Sequence, residues 1–236
     1  MENNVLAFVR QELTDSSDVT TRESAKRFFK EPVKFHGVKS AQVKAIAKKY
    51  FRDIRNQDKE EIFILCEDLL ATGYGEEAFI AFEWACGLSR QFVPSDFAVF
   101  ERWLELYVDN WAKCDTFCNH TLGTFLVMHP QFMKNLLLWA RSSNRWLRRA
   151  SAVTLILPAR KGMFLEEAFQ LSDILLMDSD DLVQKGYGWL LKEASKAHQA
   201  EVFEYVMRWR TQMPRTALRY AIEKMPAEMK KQAMKR

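Results

Sequence analysis

The sequence predicts an all-α protein whose helices pack in pairs that repeat along the chain, as in an α-solenoid. Three observations support this fold class: glycine and proline are scarce, apolar residues recur at helical spacing, and helix starts recur at a constant interval. The chain has 236 residues, 48% hydrophobic and 28% charged, which is typical of a globular protein rather than a disordered one. Its 8 glycines and 6 prolines are roughly half of average usage, and strand-rich folds need more of both for their turns.

Apolar residues follow helical rather than strand spacing over most of the chain. In 58–71, Ile62, Leu65 and Leu69 share one helical face, and acidic residues occupy most of the other. The segment 165–177 repeats this pattern. The expected helix ends and starts are marked by Gly73, Gly75, Pro130, Pro158 and Gly162.

The predicted helices form pairs with a regular period. The first helix of each pair begins at intervals of 36, 35, 35 and 36 residues, near Ser40, Glu76, Trp111, Trp146 and Leu182, and a last pair starts near Pro214. The partner helices fall near 58–71, 95–107, 130–141, 165–177 and 199–209. A period of about 35–45 residues is typical of HEAT, armadillo and TPR solenoids, and no TPR-like consensus is visible. We therefore expect about six HEAT-like pairs in one domain over 1–236, curved around a concave groove.

The net charge of +4 hides an alternation of basic and acidic blocks. The basic blocks are 22–52 (net +8), 141–161 (net +6) and 208–236 (net +7), and the acidic blocks are 53–109 (net −9) and 162–207 (net −6). Basic blocks from separate repeats can meet on one face, and a basic concave groove fits the phosphate backbone of a duplex. Ordinary solvated helix faces or an acidic protein partner would also fit this pattern.

Several classes of protein and site are not expected. The N-terminal segment has no basic region followed by an apolar run, so no secretory signal is predicted, and the longest uncharged run, 116–133, is too polar for a membrane span. Four cysteines in a chain of this length indicate a reducing, cytoplasmic setting. Cys114 and Cys118 share a helix face from which His120 points away, so we expect buried cysteines and neither a metal nor a cofactor.

One constellation of residues indicates chemistry. Trp111 and Asp115 are four residues apart at the start of a first helix of a pair, so they point to the same side. Trp189 lies on a first helix two repeats later, and Arg148 and Arg149 lie on the first helix between them. Because a solenoid places these helices side by side, the five side chains could line one stretch of groove. Either tryptophan could instead belong to the hydrophobic core. Asp115 could form an ion pair with a nearby arginine. Because Arg148 and Arg149 are adjacent, only one of them is expected to face the groove directly.

A carboxylate among aromatic side chains and beside phosphate-binding cations suits hydrolysis of an N-glycosidic bond. Breaking that bond develops positive charge on the deoxyribose, which a fixed carboxylate stabilises while it positions the attacking water. Indole rings can contact the sugar and its developing cation. An alkylated purine is already cationic while it is bonded to the sugar and can therefore depart as a neutral base, so the reaction needs no general acid.

Four short motifs carry a resemblance to a known family: F-H-G-V-K-S (35–40), W-A-K-C-D (111–115) followed by T-L-G (121–123), N-R-W-L-R-R-A (144–150) and G-W-L-L-K-E (188–193). In their order and separations they resemble the AlkD-like DNA alkylation repair proteins, which are HEAT-like bacterial alkylpurine DNA glycosylases. The resemblance covers essentially the whole chain. It implies a monofunctional hydrolase for base excision repair that removes 3-methyladenine and 7-methylguanine from double-stranded DNA without flipping the lesion into a pocket.

The resemblance also implies roles for individual residues. Asp115, Trp111 and Trp189 would form the catalytic cleft, with Asp115 near the sugar of the lesion. Ala112 and Lys113 depart from the more polar or aromatic stretch that the family has at these positions. Phe28 stands where the family has a tyrosine. The DNA-binding positions that the resemblance implies are Phe28, Ser40, Lys44, Arg149 and Lys192, and the basic first helix adds Arg148 as a further expected DNA-binding residue.

We therefore expect a monomeric alkylpurine DNA glycosylase of the bacterial cytosol, associated with the nucleoid when bound to DNA. No lysine is clearly placed as a Schiff-base nucleophile, so lyase activity is not expected. Two other classes remain open, a non-catalytic HEAT-like module that binds DNA structures and a protein-binding scaffold. Strongly salt-dependent duplex binding separates the DNA binders from the scaffold, and Asp115 separates the enzyme from the module.

Overall fold

The computed structural model describes residues 5–235, and its regular elements there are helices, apart from an isolated bridge between Lys34 and Tyr74. The predicted all-α, HEAT-like solenoid class is confirmed. The chain forms two compact units, Met1–Thr121 and Leu122–Arg236, named unit 1 and unit 2 below. The prediction of one domain over 1–236 stays a prediction.

Unit 1 contains seven α-helices in its described part. They are α1 (Val5–Asp15), α2 (Val19–Lys26), α3 (Ser40–Ile54), α4 (Lys59–Leu70), α5 (Gly75–Gly87), α6 (Asp96–Tyr107) and α7 (Trp111–Phe117). A π-helical turn, Cys118–Leu122, follows α7 directly. Such turns are rare and are often found at functional sites.

Unit 2 continues the series with nine α-helices among its described residues. They are α8 (Gly123–Met128), α9 (Met133–Trp139), α10 (Arg145–Val153), α11 (Ile156–Arg160), α12 (Leu165–Leu175), α13 (Asp181–Ala194), α14 (Gln199–Trp209), α15 (Arg215–Ala221) and α16 (Ala227–Met234). The predicted starts of the first helices are confirmed, because α3, α5, α7, α10, α13 and α15 each begin within one residue of the expected position.

In unit 1 the first helices of successive pairs lie side by side. Helix α5 packs against both α3 and α7, and the partner helix α4 packs against α5 and α6. The fully buried Trp84 donates its indole N–H to the carbonyl of Ala47 at 2.9 Å, which joins α5 to α3. Phe82 stacks on Phe117 at 4.6 Å between ring centroids, which joins α5 to α7. These contacts hold α7 by its buried side.

In unit 2 the packing centres on α13, which contacts α10, α11, α12, α14 and α15. Gly188 explains the close approach of α15, because a Cβ atom at this position would lie 2.7 Å from the carbonyl oxygen of Ala217. The buried Tyr187 beside it donates its hydroxyl to the carbonyl of Leu176 at 3.0 Å. A glycine and a tyrosine next to each other thus join α13 to the helices on both sides.

The cysteines are placed as expected. Cys66, Cys114 and Cys118 are fully buried, and Cys86 is partly buried. Cys114 and Cys118 face each other with 4.0 Å between their Sγ atoms. Burial raises the pKa of the Cys66 thiol well above its ordinary value, and burial also raises the pKa of the Cys86 thiol. The structure therefore keeps the thiols of Cys66 and Cys86 protonated.

No helix in the stretch 5–235 is long and apolar enough to cross a membrane.

Candidate active site

Helix α7 carries the W-A-K-C-D motif at its start. Asn110 caps the helix, because its side-chain oxygen accepts hydrogen bonds from the backbone N–H groups of Ala112 and Lys113 at 3.0 and 3.1 Å. This cap determines where the helix begins and makes Trp111 its first residue. Trp111 and Asp115 are therefore one turn apart on the same edge of α7, and both are partly buried.

Aromatic residues that precede α3 support the ring of Trp111. Phe29 stacks on the indole with 5.2 Å between centroids and 17° between planes. The indole Nε1 donates a hydrogen bond of 3.4 Å to the backbone carbonyl of Phe28. Phe35 in turn packs against Phe29 at 5.5 Å. The predicted role of Trp111 in catalysis is untested, but its ring is held in a defined orientation rather than being loose at the surface.

Lys113, which departs from the expected motif, points into unit 1. Its side chain is buried, and its Nζ donates to the carbonyl of Gly73 at 3.2 Å and to the carboxylate of Asp109 at 3.0 Å. The ammonium group therefore joins α7 to the loop before α5. It is not available as an exposed contact for DNA.

The F-H-G-V-K-S motif forms the loop that leads into α3. The carboxylate of Glu76 accepts three backbone N–H groups of this loop, from His36 at 3.0 Å, Gly37 at 2.9 Å and Val38 at 3.2 Å. Gly37 has a φ of 95° and packs directly against the backbone of Asp18, a conformation that favours glycine. The motif therefore has a structural explanation: it fixes the position at which Ser40 begins α3.

The neighbouring Glu77 completes this anchor. It accepts hydrogen bonds from His36 Nε2 at 3.0 Å and from Arg10 Nε at 3.1 Å. Burial alone would raise the pKa of Glu77, but these hydrogen bonds and charges outweigh burial and hold the pKa below its ordinary value. From the sequence, Glu76 was predicted only as a helix start and Glu77 had no predicted role, because their only signal was a pair of acids at the start of α5.

The predicted DNA-binding residues of unit 1 are all exposed. Phe28 has 73% of its surface exposed, and Ser40 and Lys44 lie on the open face of α3. Lys48 and Arg52 follow Lys44 at intervals of four residues, so the three cations form one stripe along α3. None of the three forms an ion pair with another residue in the described part of the chain. We call these three residues the α3 stripe.

Trp189, the predicted catalytic residue of unit 2, is partly buried on α13. Its indole makes no hydrogen bond or ring stack with other residues in the range 5–235. The rest of the G-W-L-L-K-E motif packs inside unit 2: the two leucines are fully buried, and the carboxylate of Glu193 pairs with Arg160 at 2.6 Å. Among the polar and aromatic side chains of this motif, the indole is the one without a hydrogen bond, ion pair or ring contact in the described part of the chain.

The predicted DNA-binding arginines of α10 are engaged within unit 2. Arg148 forms an ion pair of 2.6 Å with Asp178 and donates to two backbone carbonyls in the loop before α10. Arg149 is buried, and its guanidinium donates to the carbonyl of Leu182 at the start of α13. Trp146 on the same helix is also buried, so it packs inside unit 2. The contacts of Arg148 and Arg149 with DNA stay predictions, and in this structure both side chains connect α10 to its neighbours.

Lys192, like Arg148 and Arg149, contacts other residues of unit 2. Its Nζ lies 2.9 Å from the carboxylate of Glu223 and 5.5 Å from the ring centroid of Tyr220. Its side chain is mostly buried, with 13% exposed. Its predicted contact with DNA is also untested.

The part of the chain that the structure describes contains no group of three or more His, Cys, Asp or Glu side chains that could hold a metal ion.

Comparison with known protein families identifies the chain. A family profile described as "DNA alkylation repair enzyme" matches residues 9–225. The chain belongs to the DNA alkylation repair enzyme family. Membership in this family implies a role in DNA repair, with DNA as the partner. The match includes all four motifs that suggested the resemblance.

One solved structure has the same fold. It is that of a protein described as a predicted DNA alkylation repair enzyme from Enterococcus faecalis, which is 16% identical and superposes with a TM-score of 0.81 over 90% of this chain and 98% of that chain. At this identity the likeness supports the fold alone. No curated protein matches the chain.

Proposed function

We propose that this family member is a DNA glycosylase that hydrolyses the N-glycosidic bond of cationic alkylated purines in duplex DNA, of the AlkD-like type. The observation that carries the proposal is the edge of α7, where the carboxylate of Asp115 lies one turn from an indole held by Phe29 and by the carbonyl of Phe28. A carboxylate and a fixed aromatic ring on one helix edge can both stabilise a developing sugar cation. The resemblance contributes Trp189 as the third proposed catalytic residue.

In the proposed reaction, water adds to C1′ of the deoxyribose as the bond to the purine breaks. The electron pair of that bond leaves with the purine nitrogen, so a cationic base departs as a neutral one. Asp115 stabilises the positive charge on the sugar and orients the water, whose proton passes to the carboxylate or to solvent. Trp111 excludes bulk water from one side of the sugar, which strengthens the attraction between carboxylate and cation.

Binding of the duplex is proposed to depend on the α3 stripe and on the exposed ring of Phe28. Exposed lysine and arginine side chains without internal partners can neutralise phosphates at no cost in folding contacts. We propose that the lesion stays stacked in the duplex during excision. The monomeric state and the cytosolic location remain predictions from the sequence.

The test is release of methylated purines from alkylated duplex DNA. We expect the wild-type chain to release them, and Asp115→Asn to lower the rate by about two orders of magnitude or more, as when one preorganised group is lost. Glu105→Gln, on the exposed face of α6, removes the same charge away from the site and should retain full activity. Unfolding and duplex-binding measurements on both variants provide the controls.

Two results would overturn the proposal. If the wild type binds duplex DNA but releases no methylated purine, the chain is a non-catalytic DNA-binding member of its family. If Asp115→Asn releases purines at the wild-type rate, the assigned role of this carboxylate is wrong.

A further inference from the structure

The edge of α7 that carries Trp111 and Asp115 continues into the π-helical turn that follows this helix. Asn119, in that turn, comes four residues after Asp115, just as Asp115 comes four residues after Trp111. Residues at this spacing lie one above the other, about 6 Å apart along the helix axis. All three belong to unit 1 and are partly buried. Asp115 therefore has the indole on one side and the amide of Asn119 on the other.

The side-chain amide of Asn119 has no hydrogen-bonding partner among the described residues. Its Oδ1 atom is buried and accepts no hydrogen bond there, and its nitrogen donates none to another residue of 5–235. A buried carbonyl oxygen without a partner costs free energy, and such atoms are uncommon in folded proteins. One that lies next to a proposed catalytic carboxylate indicates a role in binding.

No hydrogen bond with another residue in the described range fixes the direction in which this amide faces. Half a turn about the Cβ–Cγ bond exchanges the positions of the oxygen and the nitrogen, and this torsion has a broad, roughly two-fold profile. The exchange breaks no hydrogen bond between described residues. The oxygen of Asn119 can therefore turn toward the open edge beside Asp115.

The attacking water of the proposed reaction needs two acceptors. Its lone pair points at C1′ of the deoxyribose, so both of its O–H groups point away from the sugar, and Asp115 can accept one of them. Hydrogen bonds from water are about 2.7–2.8 Å long, so one water can bridge two oxygen atoms about 5.5 Å apart. The Cβ atoms of residues four apart on a helix are separated by about 5–6 Å. One water can thus contact both Asp115 and Asn119.

We propose that Asn119 is a further catalytic residue, whose side-chain oxygen accepts the second O–H group of the attacking water. Because Asn119 is assigned to the same reaction, this role rests on the proposed function. The water oxygen bonds to C1′ as the purine leaves, and the released proton goes to Asp115 or to solvent. Asn119 gains and loses no proton, so it orients the water without competing with the carboxylate. Trp111 covers the other side of Asp115, which places the nucleophile on the side of Asn119.

The first measurement is single-turnover release of 7-methylguanine from alkylated duplex DNA, with the protein in excess. Asn119→Leu keeps the approximate shape and removes both polar atoms, so we expect the rate constant to fall about tenfold or more with unchanged duplex affinity. This variant also removes a buried oxygen without a partner, so its resistance to urea should be unchanged or increased. A residue that only supports the fold would lose stability together with rate.

The second measurement separates positioning of water from other causes of a slow rate. In dilute methanol, the methanol oxygen can bond to C1′ in place of water, which gives a methyl glycoside instead of an abasic site. Methanol has a single O–H group and therefore needs only the acceptor that Asp115 provides. In Asn119→Leu, attack by water should slow more than attack by methanol, so the ratio of methyl glycoside to abasic site should rise severalfold. Asn119→Asp keeps an oxygen acceptor and should retain the wild-type ratio.

Asn135→Leu is the matched control. Asn135 lies on α9 in unit 2, is partly buried, and also has a buried Oδ1 without a hydrogen-bond partner among the described residues. The same substitution there removes the same group away from the edge of α7 and should leave the rate and the product ratio unchanged.

The outcomes distinguish this role from the proposed function. A wild-type rate in Asn119→Leu, alongside a slow Asp115→Asn, would overturn the role of Asn119 and leave the proposed function intact. A slow Asn119→Leu with an unchanged product ratio would also overturn it, because water would not be the group that Asn119 holds. A wild type that releases no methylated purine would overturn both.

Discussion

Helices α3 and α10 have similar basic sequences but use their charges differently. Each is the first helix of a pair and lies in a basic block of the sequence. On α3, Lys44, Lys48 and Arg52 are exposed and form no ion pair with another described residue. On α10, Arg148 pairs with Asp178, and Arg149 is buried against the carbonyl of Leu182.

This difference shows that a cluster of basic residues is not by itself a nucleic-acid contact. The cations of α10 have partners about thirty residues away that connect one repeat to the next, so they contribute to folding. The cations of the α3 stripe contribute nothing comparable to folding and are available to phosphates. Stability and DNA binding should therefore respond to different substitutions.

The largest expected effect is on the stability of unit 2. Arg148→Ala leaves the carboxylate of Asp178 buried without its partner, since that side chain is only 9% exposed. We expect a loss of about 3 kcal/mol in the free energy of unfolding, measured by urea denaturation. The matched change Lys48→Ala on α3 should cost no more than about 0.5 kcal/mol. Equal losses for the two variants would remove the distinction between the helices.

The next effect concerns DNA binding by unit 1. The triple variant Lys44→Gln, Lys48→Gln, Arg52→Gln should bind duplex DNA more weakly while unfolding at nearly the wild-type urea concentration. The slope of log affinity against log salt concentration should fall by about 0.9 for each phosphate contact removed. Fluorescence anisotropy with labelled duplex at several salt concentrations measures this slope. An unchanged slope would show that the stripe does not contact phosphates.

A smaller effect is expected from the support of Trp111. Phe29→Leu removes the ring that stacks on this indole, and an aromatic pair is worth about 0.5–1.5 kcal/mol. Base release should slow about fivefold, with an altered tryptophan emission spectrum and unchanged duplex affinity. Phe169→Leu, which removes a similar stack on Tyr205 in unit 2, is the control and should leave the rate unchanged. The same loss in both variants would indicate general destabilisation.

The smallest effect is on acid stability. Because the pKa of Glu77 in the folded chain is below its ordinary value of 4.5, its contribution to stability is complete above about pH 4.5 and is lost as the pH falls through the folded pKa. Glu193 in unit 2 follows the same rule: burial raises its pKa, but bonds from Lys196 and Arg160 outweigh this and lower it. Glu77→Gln should reduce the dependence of urea unfolding on pH between about 5 and 3. An unchanged pH dependence would contradict the assignment.

Much of the fold could be predicted from the sequence because helix starts depend on local signals. The first helices begin within one residue of the predicted positions, and the shared edge of Trp111 and Asp115 follows from their spacing alone. Lys48 and Arg52 could have been found in the same way, since they continue the four-residue interval from Lys44.

The partners of charged residues could not be predicted. Arg148 meets Asp178, and the loop of F-H-G-V-K-S meets Glu76 some forty residues later. Such contacts depend on how repeats pack, and no local pattern specifies them. For the same reason, the sequence indicated only that Lys113 departs from the family motif. In the structure, its ammonium group joins α7 to Gly73 and Asp109.

The burial of the cysteines has a consequence for a protein that works where DNA is being alkylated. The electrophiles that methylate purines also attack thiolates, which are the most nucleophilic groups of a protein at neutral pH. Cys114 and Cys118 flank Asp115 in the sequence yet are fully buried, and burial keeps Cys66 and Cys86 protonated. The fold thus protects its cysteine thiols from the reagents whose damage its family repairs.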